Sequence, residues 1–267
     1  MMGYAMPTTA ADIEDQSESQ TSPATGPSAT RLVRSWLRKG YADFRAHQKA
    51  ALLYGVAFAA LSWLVIAMLW LTGLEWMMLP AISGALLVGP IIAVGLYQIS
   101  RKRQGNLGKV ASPGQIALVG GVLMVLFMVW IRAATILFAL FFGLKPFPGF
   151  VETLSTIFFS IEGISLLVVG TLVGGLFAAL TFAISAYSVP MLVDCELDAF
   201  TAMGRSFSLS AKHISVTIRW GLAVTALTIF GFATGMLGMI FIFPVLGFAT
   251  WHAYRDILPD EWLAPII

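Results

Sequence analysis

Long apolar runs separated by short basic segments set the pattern of this chain. A helix crossing the roughly 30 Å hydrocarbon core of a bilayer needs about 20 apolar residues at 1.5 Å each. Four runs reach that length: Ala50 to Leu71, Trp76 to Ile99, Ile116 to Phe142 and Ile164 to Val193. A further region, Trp220 to Tyr254, carries no Asp, Glu, Lys or Arg, yet as one helix it would measure about 52 Å, too long for a single crossing. It must fold back, and Gly235 and Gly238 supply the turn. The pattern predicts an all-α polytopic bundle of about six transmembrane helices arranged as three hairpins.

Two connecting segments read as amphipathic helices on the same side of the bundle. In the first, Val33, Trp36, Leu37, Tyr41 and Phe44 share a face flanked by Arg31, Arg34, Arg38 and Arg45, and it is expected to rest on the inner leaflet. The second begins at Asp198 as an N-cap and puts Phe200, Met203 and Phe207 on one face, away from Arg205, Ser208 and Lys212. Between Lys145 and Gly163, Phe150, Leu154, Ile157, Phe158 and Ile161 recur with helical spacing. This segment reads as an interfacial helix on the opposite side, with a re-entrant segment over 150–161 as the alternative.

An internal repeat runs through the hairpins. Pro90 is followed by Ala93, Gly95, Tyr97 and Arg101, and Pro244 by Gly247, Ala249, Trp251 and Arg255 at the same offsets. Tyr187 and Pro190 match it loosely. The shared order of small, small, aromatic and basic fits a proline-kinked helix that packs closely and ends in an interfacial anchor. Small residues four apart (Ala81, Ala85, Gly89 and Ala93; Gly170, Gly174 and Ala178; Gly231 and Gly235) allow close helix approach, within the chain first and in a homo-oligomer second.

Charge orients this pattern. Fourteen of the sixteen Lys and Arg residues fall in segments on one side of the six spans, and the positive-inside bias then places both termini in the cytoplasm. Only Lys145 lies on the far side and only Arg132 lies within a span. A basic inner belt attracts anionic lipid headgroups, whereas its spacing along the boundary speaks against a nucleic-acid partner. Residues 1–30 are acidic and rich in Ser, Thr and Pro, with no Lys or Arg, and are expected to be a disordered cytoplasmic tail. Residues 31–258 form the membrane domain and 259–267 a short C-terminal cytoplasmic tail. No cleavable signal peptide is expected, because the first apolar run starts only near Ala50.

Candidate chemistry is sparse. Arg132 is the costly residue, because a cation at mid-bilayer costs at least about 2.5 kcal/mol. It lies roughly 24 Å along the third span and either snorkels to the outer boundary or binds an anionic solute, with Glu75 or Glu162 as partner. The histidines His47, His213 and His252 all belong near the inner boundary, which argues against a haem or copper centre at membrane depth. The stretch Trp251, His252, Tyr254, Arg255 and Asp256 is the richest polar cluster; His252 and Asp256 are four apart and suited to pair, or the whole stretch anchors the helix at the interface. Asp194, Glu196 and Asp198 serve capping or, alternatively, hold a cation. The single cysteine, Cys195, rules out an intramolecular disulfide. No nucleotide loop or nucleophile elbow is present, so neither an enzymatic activity nor a cofactor or metal is expected.

On Gly89-Pro90 with Gly95-Leu96-Tyr97, Trp130-Ile131-Arg132, Pro190 through Asp194 with Ala202 and Ser206, and Trp251 through Asp256, the chain resembles a family of bacterial integral membrane proteins. The family is grouped under a domain of unknown function and sometimes loosely labelled as cytochrome c oxidase subunit I-like. The resemblance covers roughly Arg31 to Leu258 and implies a multi-pass protein of the bacterial inner membrane. A histidine often follows the family's counterpart of Gly247, where this chain has Phe248. Two functions fit: a non-enzymatic scaffold or modulator of other membrane components, or a small-solute transporter or channel built on Arg132 and the proline-broken helices.

Overall fold

The computed structural model describes residues 28–74, 78, 89–105, 108, 110–143 and 150–258, and regular structure among them is entirely helical. In chain order the helices are α1 (Ala29–Ala46), α2 (Gln48–Leu71), α3 (Val94–Arg103), α4 (Pro113–Phe142), α5 (Phe150–Phe159), α6 (Ile161–Ser185), α7 (Ser188–Asp194), α8 (Ala199–Lys212), α9 (Ile214–Ala233) and α10 (Met239–Ile257). Among the described residues, four helical stretches are long and apolar enough to cross a membrane: Gln48–Leu71, Pro113–Phe142, Ile161–Asp194 and Ile214–Ala233. Half of the expected second span, together with Lys145, residues 1–27 of the first tail and the whole of the second, lies outside the described residues.

The region expected to fold back does so. α9 ends at Ala233 and α10 begins at Met239, and the turn between them runs through left-handed backbone at Gly235 (φ 63°) and Met236 (φ 66°), the first a conformation glycine adopts without steric cost. The Thr234 hydroxyl accepts a hydrogen bond from Gly238 N at 2.8 Å and fastens the turn. α10 is not among the four apolar stretches, because its last turns carry His252, Arg255 and Asp256. It is instead the central helix of the basic end, with Phe243, Leu246, Phe248, Trp251 and Tyr254 buried and α1, α2 and α3 packed around it.

Proline shapes these contacts. Pro244, inside α10, has no N–H to donate to the carbonyl of Ile240 one turn earlier. Gly55 of α2 sits directly on that carbonyl, so closely that a Cβ would collide with it. Gly40 of α1 meets the next turn, where a Cβ would lie 2.7 Å from both Val245 O and Ala249 N. The repeat unit also contacts itself: a Cβ on Gly247 would stand 3.5 Å from the Cβ of Ala93, so positions equivalent in the repeat pack together.

The surface helices differ from expectation. α1 turns Val33, Trp36 and Phe44 inward, with Trp36 edge-on to Trp220 of α9 at 5.7 Å between ring centroids. Its apolar face is therefore spent on the protein, and Tyr41 at the edge of that face remains exposed. In α8 Asp198 is the N-cap, accepting from Thr201 N at 2.9 Å, but the expected apolar face divides. Met203 is buried with Ala199, Ala202, Ser206 and Leu209, while Phe200 and Phe207 point outward.

The inward face of α8 closes a break between α6 and α7. Ser206 Oγ donates to Ala183 O at 2.7 Å and accepts from Tyr187 N at 3.2 Å, and Ser210 Oγ also reaches Ala183 O at 3.3 Å. Backbone groups freed where the helix breaks ahead of Pro190 are thus satisfied by two serines from a neighbouring helix. On the opposite side α5 forms as expected and packs on α6, after which Ser160 caps α6 by accepting from Gly163 N at 3.0 Å. α4 and α6 pair through Trp130, which lies against Gly174 and 5.8 Å from the Phe177 ring.

Candidate functional site

Helices α1, α3, α7 and α10 meet at one end of the bundle, where three carboxylates organise the charges. Asp194, at the end of α7, is the centre of the first group. Its side chain is 7% exposed, and Arg101 Nε of α3 donates to Oδ1 at 2.9 Å. Arg255 Nη1 and Tyr254 Oη of α10 donate to Oδ2 at 3.0 and 3.2 Å. Arg101 also reaches the Asp194 carbonyl at 3.3 Å and Gly108 O at 3.1 Å. Arg101 and Arg255 are the equivalent cations of the internal repeat, so the repeat places two arginines on one carboxylate supplied by a third helix. A buried carboxylate so surrounded is both paired and hydrogen-bonded, as a buried charge requires.

Asp43 of α1, 6% exposed, forms the second group. Oδ1 accepts from Arg103 Nη1, and Oδ2 accepts from the Ser100 hydroxyl and lies 3.0 Å from His252 Nε2. Burial raises the pKa of this carboxyl, but hydrogen bonds from His252 and Ser100 and the charges of His252 and Arg103 together outweigh it, leaving it below the ordinary carboxylate value. Asp256 is the third, more exposed carboxylate. It accepts from Trp36 Nε1 at 2.8 Å and from Lys39 Nζ at 2.9 and 3.1 Å. Trp251, buried beside the Tyr254 ring, donates Nε1 to Gln104 Oε1 at 3.2 Å. The open cleft among these residues has a volume of about 400 Å³ and is lined by Lys39, Asp43, Arg103, Gln104, His252, Arg255 and Asp256.

The expected cluster at the end of α10 is thus real as a place but differently wired. His252 does not pair with Asp256: both turn to α1, His252 to Asp43 and Asp256 to Trp36 and Lys39, because the helix packed along α10 offers stronger partners than a neighbour one turn away. Of the three acids after the fourth span, Asp198 caps, Asp194 binds arginines, and Glu196 stands with Asp198 at a separate cleft beside the start of α4. Cys195 lies next to the Asp194 group; burial first, and then the negative charge of Asp194, push its thiol pKa up, away from the reactive thiolate form. Among the described residues no group of three or more His, Cys, Asp and Glu side chains could hold a metal ion.

Arg132 stands apart. It is exposed on α4, lines neither cleft, and makes no hydrogen bond or ion pair with another described residue. Glu162 does not pair with it, and Glu75 lies outside the described residues. The sequence reading missed Asp43, Ser100 and Arg103, whose only signal was an acid embedded in a basic amphipathic helix.

Apolar helices of spanning length define the class as an integral membrane protein. Residues 77–194 match the family described as "Predicted integral membrane protein (DUF2189)", a domain of unknown function. The family resemblance is borne out over that stretch, which contains Arg101, Arg103, Arg132 and Asp194 but ends before Trp251 through Asp256. No curated protein and no solved structure matches the chain.

Proposed function

We propose that this chain is a non-enzymatic module of the bacterial inner membrane, crossing it six times as three hairpins with both termini cytoplasmic, that scaffolds or modulates other membrane components. The observation that carries this reading is the division of its charges. Asp43 and Asp194, both buried, are spent in ion pairs that tie α1, α3, α7 and α10 together, and Arg132 adjoins neither cleft.

The transporter alternative draws on the two helix irregularities, and their surroundings favour the scaffold. The break at Ala186 and Tyr187 is closed by Ser206 and Ser210, and the turn around Pro244 is occupied by Gly55 and Gly40. Neither leaves coordinating backbone facing an open path of the kind transporters use. Solute flux in proteoliposomes tests the choice: vesicles containing the protein are expected to be no more permeable to potassium, chloride or phosphate than protein-free vesicles. A flux that Arg132→Gln abolishes would overturn the scaffold reading.

A further inference from the structure

We propose that the cleft between α1, α3 and α10 is a binding site for a phosphate group, carried either by an anionic lipid headgroup or by a free phosphate. The proposal rests on the reading above only in placing this end of the bundle at a membrane surface. Its basis is the balance of donors and acceptors around the cleft. Both oxygens of Asp43 are taken, by Arg103 on one side and by Ser100 and His252 on the other. Both oxygens of Asp256 are taken by Lys39 and Trp36. The Gln104 carbonyl is taken by Trp251.

The donors are not used up. A guanidinium offers five N–H groups, and Arg103 spends one on Asp43 while Arg255 spends one on Asp194. Their side chains are 43% and 36% exposed where they border the cleft. The Gln104 amide adds further donors. Lys39, Arg103 and Arg255 against Asp43 and Asp256 leave the lining with a cationic excess before any proton on His252. Excess positive charge, two planar guanidinium forks with unspent N–H groups and carboxylates already paired with other donors suit a phosphate, whose oxygens accept such forks in pairs.

The test uses the full-length protein in detergent with two probes. Inorganic phosphate is followed by ³¹P NMR line broadening, and phosphatidylglycerol against phosphatidylcholine by retention in native mass spectrometry. Gln104→Glu is the discriminating variant, because a glutamate oxygen still accepts from Trp251 while the cleft gains a negative charge and loses an amide donor. Phosphatidylglycerol retention without phosphate broadening assigns the site to a lipid headgroup, and broadening assigns it to free phosphate; both support the site. In either case Gln104→Glu is expected to weaken binding about tenfold, and Arg132→Gln to leave it unchanged. Failure of both probes to bind, or binding that Gln104→Glu leaves intact, would overturn the proposal. Neither result bears on vesicle flux, so the scaffold reading stands or falls separately.

Discussion

Arg101 and Arg255, each eleven residues beyond the proline of its repeat, donate to opposite oxygens of the same carboxylate, Asp194. Two sequence-related helices are thereby locked to a third. Asp194→Ala removes the shared acceptor and the charge that neutralises Arg101, whose side chain is only 8% exposed. Breaking a buried pair by removing one partner costs about 3–5 kcal/mol. Arg255→Gln costs less, since that arginine is partly solvated. Thermal unfolding in detergent should rank the two variants in that order, and equal, small losses would contradict the clamp.

Asp43 makes stability depend on acid. Its carboxyl titrates below the ordinary value in the folded protein, so its contribution is full above the carboxylate pKa of the unfolded chain and is lost as pH falls through the folded value. Unfolding profiles should therefore steepen toward acid in the wild type and flatten there in Asp43→Asn, which is already weakened at neutral pH. Parallel profiles would remove Asp43 from the account.

Gly55 is predicted to tolerate no side chain. Gly55→Ala puts a methyl group into the Ile240 carbonyl, and relief requires α2 and α10 to separate, at about 1–3 kcal/mol for overpacking. Gly175→Ala, with open space where the methyl would go, is the matched control in the same unfolding assay.

Ser206 serves the helix break rather than the surface. Ser206→Ala leaves Ala183 O and Tyr187 N without their closest side-chain partner, a loss of about 1–3 kcal/mol for buried groups left unsatisfied. Hydrogen exchange is the telling measurement: the Tyr187 amide should exchange faster in the variant, with protection in α4 unchanged.

Local rules were legible in the sequence wherever a local cause decides the outcome. Apolar run length marked the helices, Gly235 the turn, and Asp198 its own cap, because each depends on residues a few positions apart. The candidate site was legible only by address. Asp194 and the stretch from Trp251 to Asp256 were visible as a polar concentration, but their partners come from α1 and α3, distant in the chain. The expected pairing of His252 with Asp256 follows a one-turn rule worth only a few tenths of a kcal/mol on an exposed helix, and the buried carboxylate of Asp43 overrides it. The face expected on α8 divides for a related reason: periodicity groups Phe200 and Phe207 with Met203, whereas the broken helix beside α8 takes the serine hydroxyls on the face where Met203 is buried, leaving both phenylalanines exposed.

The central claim, that charge at the basic end ties helices together and does not open onto a path toward Arg132, is tested most directly by cysteine accessibility. With Cys195 replaced by serine, single cysteines at Gln104, Val119, Leu123, Arg132 and Phe248 would be exposed to a membrane-impermeant maleimide from each side of the bilayer in turn. The account predicts labelling of Gln104→Cys from one side and protection of Val119→Cys, Leu123→Cys and Phe248→Cys from both, with Arg132→Cys never labelled from the Gln104 side. A continuous run of labelled positions from Gln104 through Leu123 to Arg132 would contradict it.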